Sequence, residues 1–236
     1  MKKNVKKVVC NADNMGGFFE EGKDVSLPEF YMHSENLEEM GMEMEMERER
    51  EKEMERDIER RVSLAFFAGR MHGRVRPKLL EVWKYPKGGE EMQIYGVLDE
   101  SLRNLSIYEE HMRRSKFCVC PMGYEVNSPR IVEAIHAGCV PVVIADGFVL
   151  PFSHVLDWSS FSVLLPEDRI PDLKSVLSDI PASRYRDMRR RLVHVRRHFT
   201  WHPPTPPRPF DAFHMILHAL WTNHLHHTGL LPSPPA

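Results

Sequence analysis

An α/β domain carried on a parallel sheet is expected from three features of this chain. Lys116 to Val143, KFCVCPMGYEVNSPRIVEAIHAGCVPVV, reads as a strand, a polar turn, an amphipathic helix and a second strand, which is a βαβ unit. Val140 to Ile144 is apolar at every position, as suits a parallel strand covered on both faces. Val62 to Ala68, VSLAFFA, repeats that signal and runs into a turn rich in glycine and arginine.

In chain order, the first marked departure is Glu38 to Arg61, EEMGMEMEMEREREKEMERDIERR. Glu and Arg four apart favour a solvated helix, while Met recurs at period two and gives no apolar stripe. No a/d heptad runs through it, so a coiled-coil arm is excluded and an exposed, partly helical or disordered insertion is expected. After the strand at Val62 to Ala68, the turn Gly69 to Pro77 leads into a helix from Lys78 to Lys84. Lys116 to Cys120 forms the next strand and Pro121 to Asn127 the turn after it. Ser128 is placed as the cap of a helix with Pro129 in its first turn. Ile131, Val132, Ala134 and Ile135 give that helix an apolar face, and Gly138 ends it.

Beyond Val140 to Ile144, the loop Ala145 to Phe152 opens on the same edge of the sheet as the helix start, and a short helix is expected at Val155 to Trp158. Helices follow at Ile170 to Ile180 and Ala182 to Phe199. The second bears a basic face from Arg184, Arg186, Arg189, Arg190, Arg191, Arg196 and Arg197, a face that is solvated or meets an acidic polysaccharide or another domain. Trp201 to Pro207 is a stiff Pro-rich linker into a last helix from Phe210 to Asn223.

Composition fits one sizeable core. The chain has 236 residues, 42% hydrophobic and 28% charged, with a net charge of −2 that gives no global field for nucleic acid or an anionic membrane. No stretch approaches the roughly 18 apolar residues of a membrane span, and MKKNVKKVVCNADN is basic without a following apolar core. Among the four cysteines, Cys118, Cys120 and Cys139 fall on neighbouring strands, so a bridge and three buried free thiols are both open. No Cys-x-x-Cys pair suggests a metal. The 13 histidines include His218, His224, His226 and His227 near a Pro-rich end, where only adventitious metal binding is expected.

The chemistry gathers at one edge. A right-handed βαβ crossover sets the start of its helix at the C-terminal edge of the sheet, where open α/β sheets bind ligands. There Ser128 offers a hydroxyl, Arg130 a guanidinium and Glu133 a carboxylate, a set suited to diphosphate and ribose. Arg130 and Glu133, three apart, equally suit a solvated surface pair. Glu125 stands eight positions before Glu133. The turn after the first long strand adds Gly69 and Gly73, which let a backbone approach a ligand, with Arg70, Arg74 and Arg76 beside them. No two of the eleven aspartates form Asp-x-Asp, and no Gly-x-Gly-x-x-Gly follows a strand, which disfavours a nicotinamide-binding Rossmann enzyme.

PMGYEVNSPRIVEAIHAGCVPVVIADGFVLPF resembles the donor-binding signature of the exostosin-like glycosyltransferases, in particular their plant cell-wall branch. Lys23 to Pro28, LAFFAGRMHGRVRP (Leu64 to Pro77), Val155 to Trp158 and FDAFHMILHALW (Phe210 to Trp221) resemble that family in the same order. The resemblance implies a Rossmann-like parallel sheet that is the C-terminal half of a GT-B glycosyltransferase fold. It divides the chain into a remnant of an N-terminal domain and interdomain segment (1–36), the Met/Glu/Arg insertion (37–61), a nucleotide-sugar donor domain (62–223) and a His/Pro-rich tail (224–236). Val5 to Asn11 then resembles the final strand of that N-terminal domain, and the chain reads as truncated.

The implied activity is inverting, metal-independent transfer of a sugar from a nucleotide sugar, a UDP-sugar, to a cell-wall polysaccharide such as a hemicellulose or pectin. No cofactor is implied, and the partners are the donor, the polysaccharide acceptor and other glycosyltransferases, with no nucleic acid. The donor would be held by Gly69, Arg74, Arg76, Ser128, Arg130 and Glu133. Asp24 and Glu125 are the nearest candidates for the catalytic base, which the other domain of the family could equally supply. The family works on the lumenal side of the Golgi membrane. A non-catalytic nucleotide-sugar-binding module, or an inactive fragment that partners an intact transferase, is the alternative.

Overall fold

A computed structural model of the protein describes residues 5–30, 45–97, 105–202 and 206–231. Its centre is a five-stranded parallel sheet of β3 (Ser63–Ala68), β4 (Met92–Tyr95), β5 (Ser115–Pro121), β6 (Val140–Ile144) and β7 (Val163–Leu164), in the spatial order β4-β3-β5-β6-β7. All four pairings are parallel, with Ala65 opposite Phe117 and Phe117 opposite Val140. A separate two-stranded ribbon pairs β1 (Val8–Val9) with β2 (Val25–Ser26), both within the expected segment 1–36.

Side-chain alternation splits the interior into two layers. Ala65, Phe67, Phe117, Val119, Val142 and Ile144 face one side, under α2 (Val75–Trp83), α5 (Leu173–Ser178) and α6 (Ala182–Val195). Phe66, Ala68, Cys118, Cys120 and Val143 face the other, under α3 (Leu105–Arg114), α4 (Arg130–His136) and α7 (Ala212–His227). β6 is buried along its whole length, as an all-apolar parallel strand requires. Cys118 in β5 and Cys139, just before β6, form a disulfide across adjacent strands, while Cys120 and Cys10 stay free. Burial pushes the Cys120 thiol up, and burial followed by the Glu29 carboxylate pushes Cys10 up to about 11.

Several expected boundaries shift. The helix placed at Lys78 begins at Val75, so Arg76 lies in its first turn. Ser128 does not cap α4, because Pro129 already has helical dihedrals and occupies the cap position. Ile170 to Ile180 divides into a 3-10 turn at Glu167–Asp172, interrupted by Pro171, and α5. α6 gives way to a 3-10 turn at Arg196–Phe199, and the short helix near Trp158 is a 3-10 turn at Trp158–Ser160. The last helix runs from Ala212 to His227, capped by the Asp211 carboxylate, which accepts from His214 N at 3.1 Å.

Residues 37–44 of the Met/Glu/Arg segment lie outside the described residues, and α1 (Glu45–Arg60) follows them. Its end is docked rather than free. Ile58 packs on the core, and Asp57 accepts from Arg61 Nε at 2.9 Å and from Arg189. Arg61, 3% exposed, donates to the carbonyls of Met112 (3.0 Å), Ser115 (2.7 Å) and Ala137 (2.9 Å). It joins the ends of α3 and α4 to the start of β5. The basic face of α6 is therefore only partly solvated, since Arg189 is buried against Asp57 and Arg186 meets Glu55 at 3.4 Å. Among the described residues no helix is long and apolar enough to cross a membrane.

Candidate functional site

The strand order fixes where a ligand can enter. From β3 the chain passes outward to β4, then crosses back over β3 to β5 and continues to β6 and β7. The direction reverses between β3 and β5, so the loops leaving these two strands diverge and open a crevice at the C-terminal edge. Those loops are Gly69–Arg74 and Met122–Pro129. They meet at Gly73, whose φ is +68° and where a Cβ would lie 1.8 Å from the Gly123 carbonyl oxygen. Any side chain at Gly73 would force the loops apart.

Two guanidinium groups line the crevice. Arg130, from the first turn of α4, reaches across to the end of β3, donating to Ala68 O from Nε (3.1 Å) and Nη2 (2.8 Å) above the Phe67 ring. A Cβ on Gly69 would stand 2.5 Å from Arg130 Nη2, so that glycine makes room for the guanidinium. Arg76, 7% exposed, lies against Gly123, and its one hydrogen bond is a 3.3 Å contact to Arg70 O. Neither arginine forms an ion pair among the described residues. Burial first, and then the neighbouring Arg130 charge, push Arg76 down to about 10. Arg76 Nε and Ser128 Oγ are buried without a hydrogen-bond partner. Two like charges and two unsatisfied groups in one desolvated place are unfavourable unless an anion joins them.

Glu133 faces the same region from one turn further along α4. It accepts a 2.7 Å hydrogen bond from the Tyr108 hydroxyl. Tyr108 comes from α3, where its ring packs on Phe66 at 5.5 Å. Burial, and then the Glu133 charge, raise its hydroxyl far above the usual phenol range, so it stays protonated as the donor. The bond orients Glu133 and leaves its other oxygen open to a ligand hydroxyl.

Other expected site residues are placed differently. Arg74 makes a two-pronged pair with Glu167, at 2.8 and 2.7 Å, so its charge is already partnered. Glu167 also accepts from Asp146 N at 3.2 Å, and Glu167 N donates back to Asp146 at 3.3 Å. Arg74 thus ties the loop after β3 to the loop after β6. Asp24, 3% exposed, accepts from Lys7 N (2.8 Å) and Glu20 N (3.0 Å) and pairs with Lys7 Nζ at 3.1 Å. Burial alone would raise its carboxyl, but these hydrogen bonds and the ammonium hold it below the ordinary carboxylate range. It is a structural carboxylate, without the solvent-facing oxygen a base needs. Glu125 lies exposed on the loop after β5; its carbonyl accepts from Gly123 N at 3.0 Å, and its carboxylate makes no hydrogen bond or ion pair among the described residues.

The N-terminal segment completes the wall. Asn11 Oδ1 accepts from Val126 N at 3.1 Å, and Asn127 Nδ2 donates to Glu29 at 2.8 Å. Asp13 bridges to Phe148 in antiparallel fashion, so the loop Ala145 to Phe152 is braced against residues 12–14. A cavity of about 510 Å³ runs along α4, with Glu133 in its lining together with Asp57, Arg61, Gly138 and Arg189. Glu53, Met54 and Asp57 of α1 line one side of it.

Residues 3–180 match the family profile described as the Exostosin GT47 domain. A probable glycosyltransferase of Arabidopsis thaliana is 42% identical over 219 residues, covering 93% of this chain and 38% of that protein. A second probable glycosyltransferase of the same plant is 42% identical over 219 residues, covering 93% of this chain and 42% of that protein. A probable glucuronosyltransferase of Oryza sativa subsp. japonica is 40% identical over 124 residues, 52% of this chain and 29% of its own length. The chain spans about two fifths of the length of the curated relatives it matches along most of its own sequence.

Proposed function

Because the chain belongs to the Exostosin GT47 domain family, we propose that the crevice between β3 and β5 holds the diphosphate of a nucleotide sugar, a UDP-sugar. The protein then serves as the donor domain of an inverting glycosyltransferase of plant cell-wall polysaccharides such as hemicellulose or pectin. The observation that carries this reading is the pair Arg76, buried, and Arg130, half-buried, brought together at the switch point without a carboxylate partner among the described residues. A diphosphate supplies the missing charge to both arginines, Ser128 Oγ and Arg76 Nε donate to its oxygens, and Glu133, held by Tyr108, accepts from the ribose hydroxyls. The same guanidinium groups stabilise the diphosphate as it leaves, so departure is proposed to proceed without a metal ion.

Inversion requires a base that takes the proton of the acceptor hydroxyl as the sugar carbon is attacked opposite the leaving group. Asp24 is committed to the N-terminal ribbon, which leaves Glu125 as the exposed carboxylate on the crevice rim. The second reading is a non-catalytic nucleotide-sugar-binding module, or an inactive fragment, that partners an intact transferase, with the base supplied by that partner. The Cys118–Cys139 disulfide supports an oxidising compartment, in keeping with a lumenal Golgi location. The names of relatives matched over 52% of the chain point to glucuronic acid or, in a probable β-1,4-xylosyltransferase of Arabidopsis thaliana at 39% identity, to xylose as the sugar. Transfer from UDP-xylose or UDP-glucuronic acid to a cell-wall oligosaccharide, with EDTA present and product configuration read by proton NMR, tests the reading. It predicts an inverted linkage, and a retained one or a strict need for divalent metal refutes it.

A further inference from the structure

An aromatic stack at the crevice mouth takes no part in holding the diphosphate. His72, from the loop after β3, and Tyr124, from the loop after β5, stack with ring centroids 4.9 Å apart and planes inclined by 21°. Each ring sits beside one glycine of the Gly73–Gly123 contact, so the backbones that fix the crevice also fix the stack. Tyr124 is nevertheless 79% exposed, with one ring face covered by His72. A large, rigid, exposed ring on a braced turn is a feature of binding surfaces rather than of packing.

We propose that the His72–Tyr124 stack is a platform on which a pyranose ring of the acceptor polysaccharide rests, an inference built on the donor site described above. Depth separates the two ligands. Ser128 and Arg76 are 1% and 7% exposed and meet the diphosphate at the floor, whereas Tyr124 stands in solvent at the rim, where a long glycan can pass without being enclosed. The carbon–hydrogen face of a pyranose is apolar and flat enough to cover an aromatic face, while its equatorial hydroxyls point sideways. Glu125, which follows Tyr124, and Arg70, two residues before His72, are both exposed and are polar partners for those hydroxyls. Glu125 is also a candidate base, so a sugar seated on Tyr124 would have its hydroxyls near a carboxylate that can receive a proton.

The test is saturation-transfer NMR on the chain with β-1,4-xylohexaose and with cellohexaose, in parallel with calorimetric titration of UDP, for the natural protein, Tyr124→Ala and Tyr124→Phe. Oligosaccharide affinity should fall about tenfold in Tyr124→Ala, the order seen when other flat rings lose an aromatic partner, and survive in Tyr124→Phe. UDP affinity should change less than about twofold, since a ring at the rim is outside the charge cluster. Equal oligosaccharide binding by Tyr124→Ala overturns the platform, as does a loss confined to UDP, which would place the nucleobase on the stack. Failure of the natural protein to bind either oligosaccharide overturns the platform whatever UDP does. Failure to bind UDP overturns the donor site whatever the oligosaccharides do.

Discussion

Arg76 is the most informative side chain of the protein. A guanidinium pushed down to about 10 by burial and by Arg130 has been taken out of water without receiving a counter-charge. A bound diphosphate favours the protonated form and so raises that value. The sign of the pH dependence follows: UDP affinity is full below about pH 10 and falls as pH rises through it, because the free protein then sheds the proton that binding requires. Titrations between pH 7 and 11 should show a plateau followed by this decline, and a decline complete by pH 8 would show that another group governs binding. Tyr108→Phe removes the donor that orients Glu133 and should weaken UDP binding roughly fivefold, about 1 kcal/mol, with the fold intact by circular dichroism. That Arg76, Arg130 and Glu133 stand just after β3 and β5 was legible in the sequence, because each follows a strand by a short interval; their part in binding is the proposal made above. Tyr108 and Glu167 were not legible, since their partners lie 25 and 93 residues away and nothing local marks them. Arg74 was expected in the site for the same local reasons as Arg76, and only the fold brings Glu167 to it.

Secondary-structure elements were legible in proportion to how much of their identity is local. β3, β5 and β6 carry continuous apolar runs and were placed to within a residue or two. β4, with four residues, and β7, with two, are strands because β3 and β6 pair with them, and α3 is a short amphipathic helix that packs Tyr108 and Met112 on the core. The charged helix α1 reads as solvated, yet its final turn holds the base of the sheet through Arg61. Arg61→Ala leaves three buried carbonyls without their donor and Arg189 with altered partners, and should destabilise the protein by about 3 kcal/mol in urea unfolding. Arg61→Lys should recover little, because an ammonium cannot reproduce the planar fork that reaches α3, β5 and α4 together. The cross-strand disulfide closes a loop with a sequence separation of 21. Reduction should cost about 3 kcal/mol on the chain-entropy account, measured as a shift of the urea midpoint with dithiothreitol. A midpoint that does not move would show that the bridge adds nothing to the packing of β5 against β6.

The described residues form a five-stranded sheet with helices on both faces, a separate two-stranded ribbon and a crevice where the strand order reverses, and the N-terminal segment braces that crevice. Such a site should couple to global stability: UDP at one hundred times its dissociation constant should raise the unfolding free energy by about 2.7 kcal/mol. The family profile covers residues 3–180, which include both crevice loops and the wall formed by residues 11–14. The central claim is that Arg76 and Arg130 form a diphosphate site that needs no metal ion. Calorimetric titration of the folded chain with UDP, repeated with EDTA and with the Arg76→Ala/Arg130→Ala double variant, measures it directly. One-to-one binding that is unchanged by EDTA and lost in the double variant is the predicted result. A folded natural protein that gives no binding heat, or a double variant that binds UDP as well as the natural protein, contradicts it.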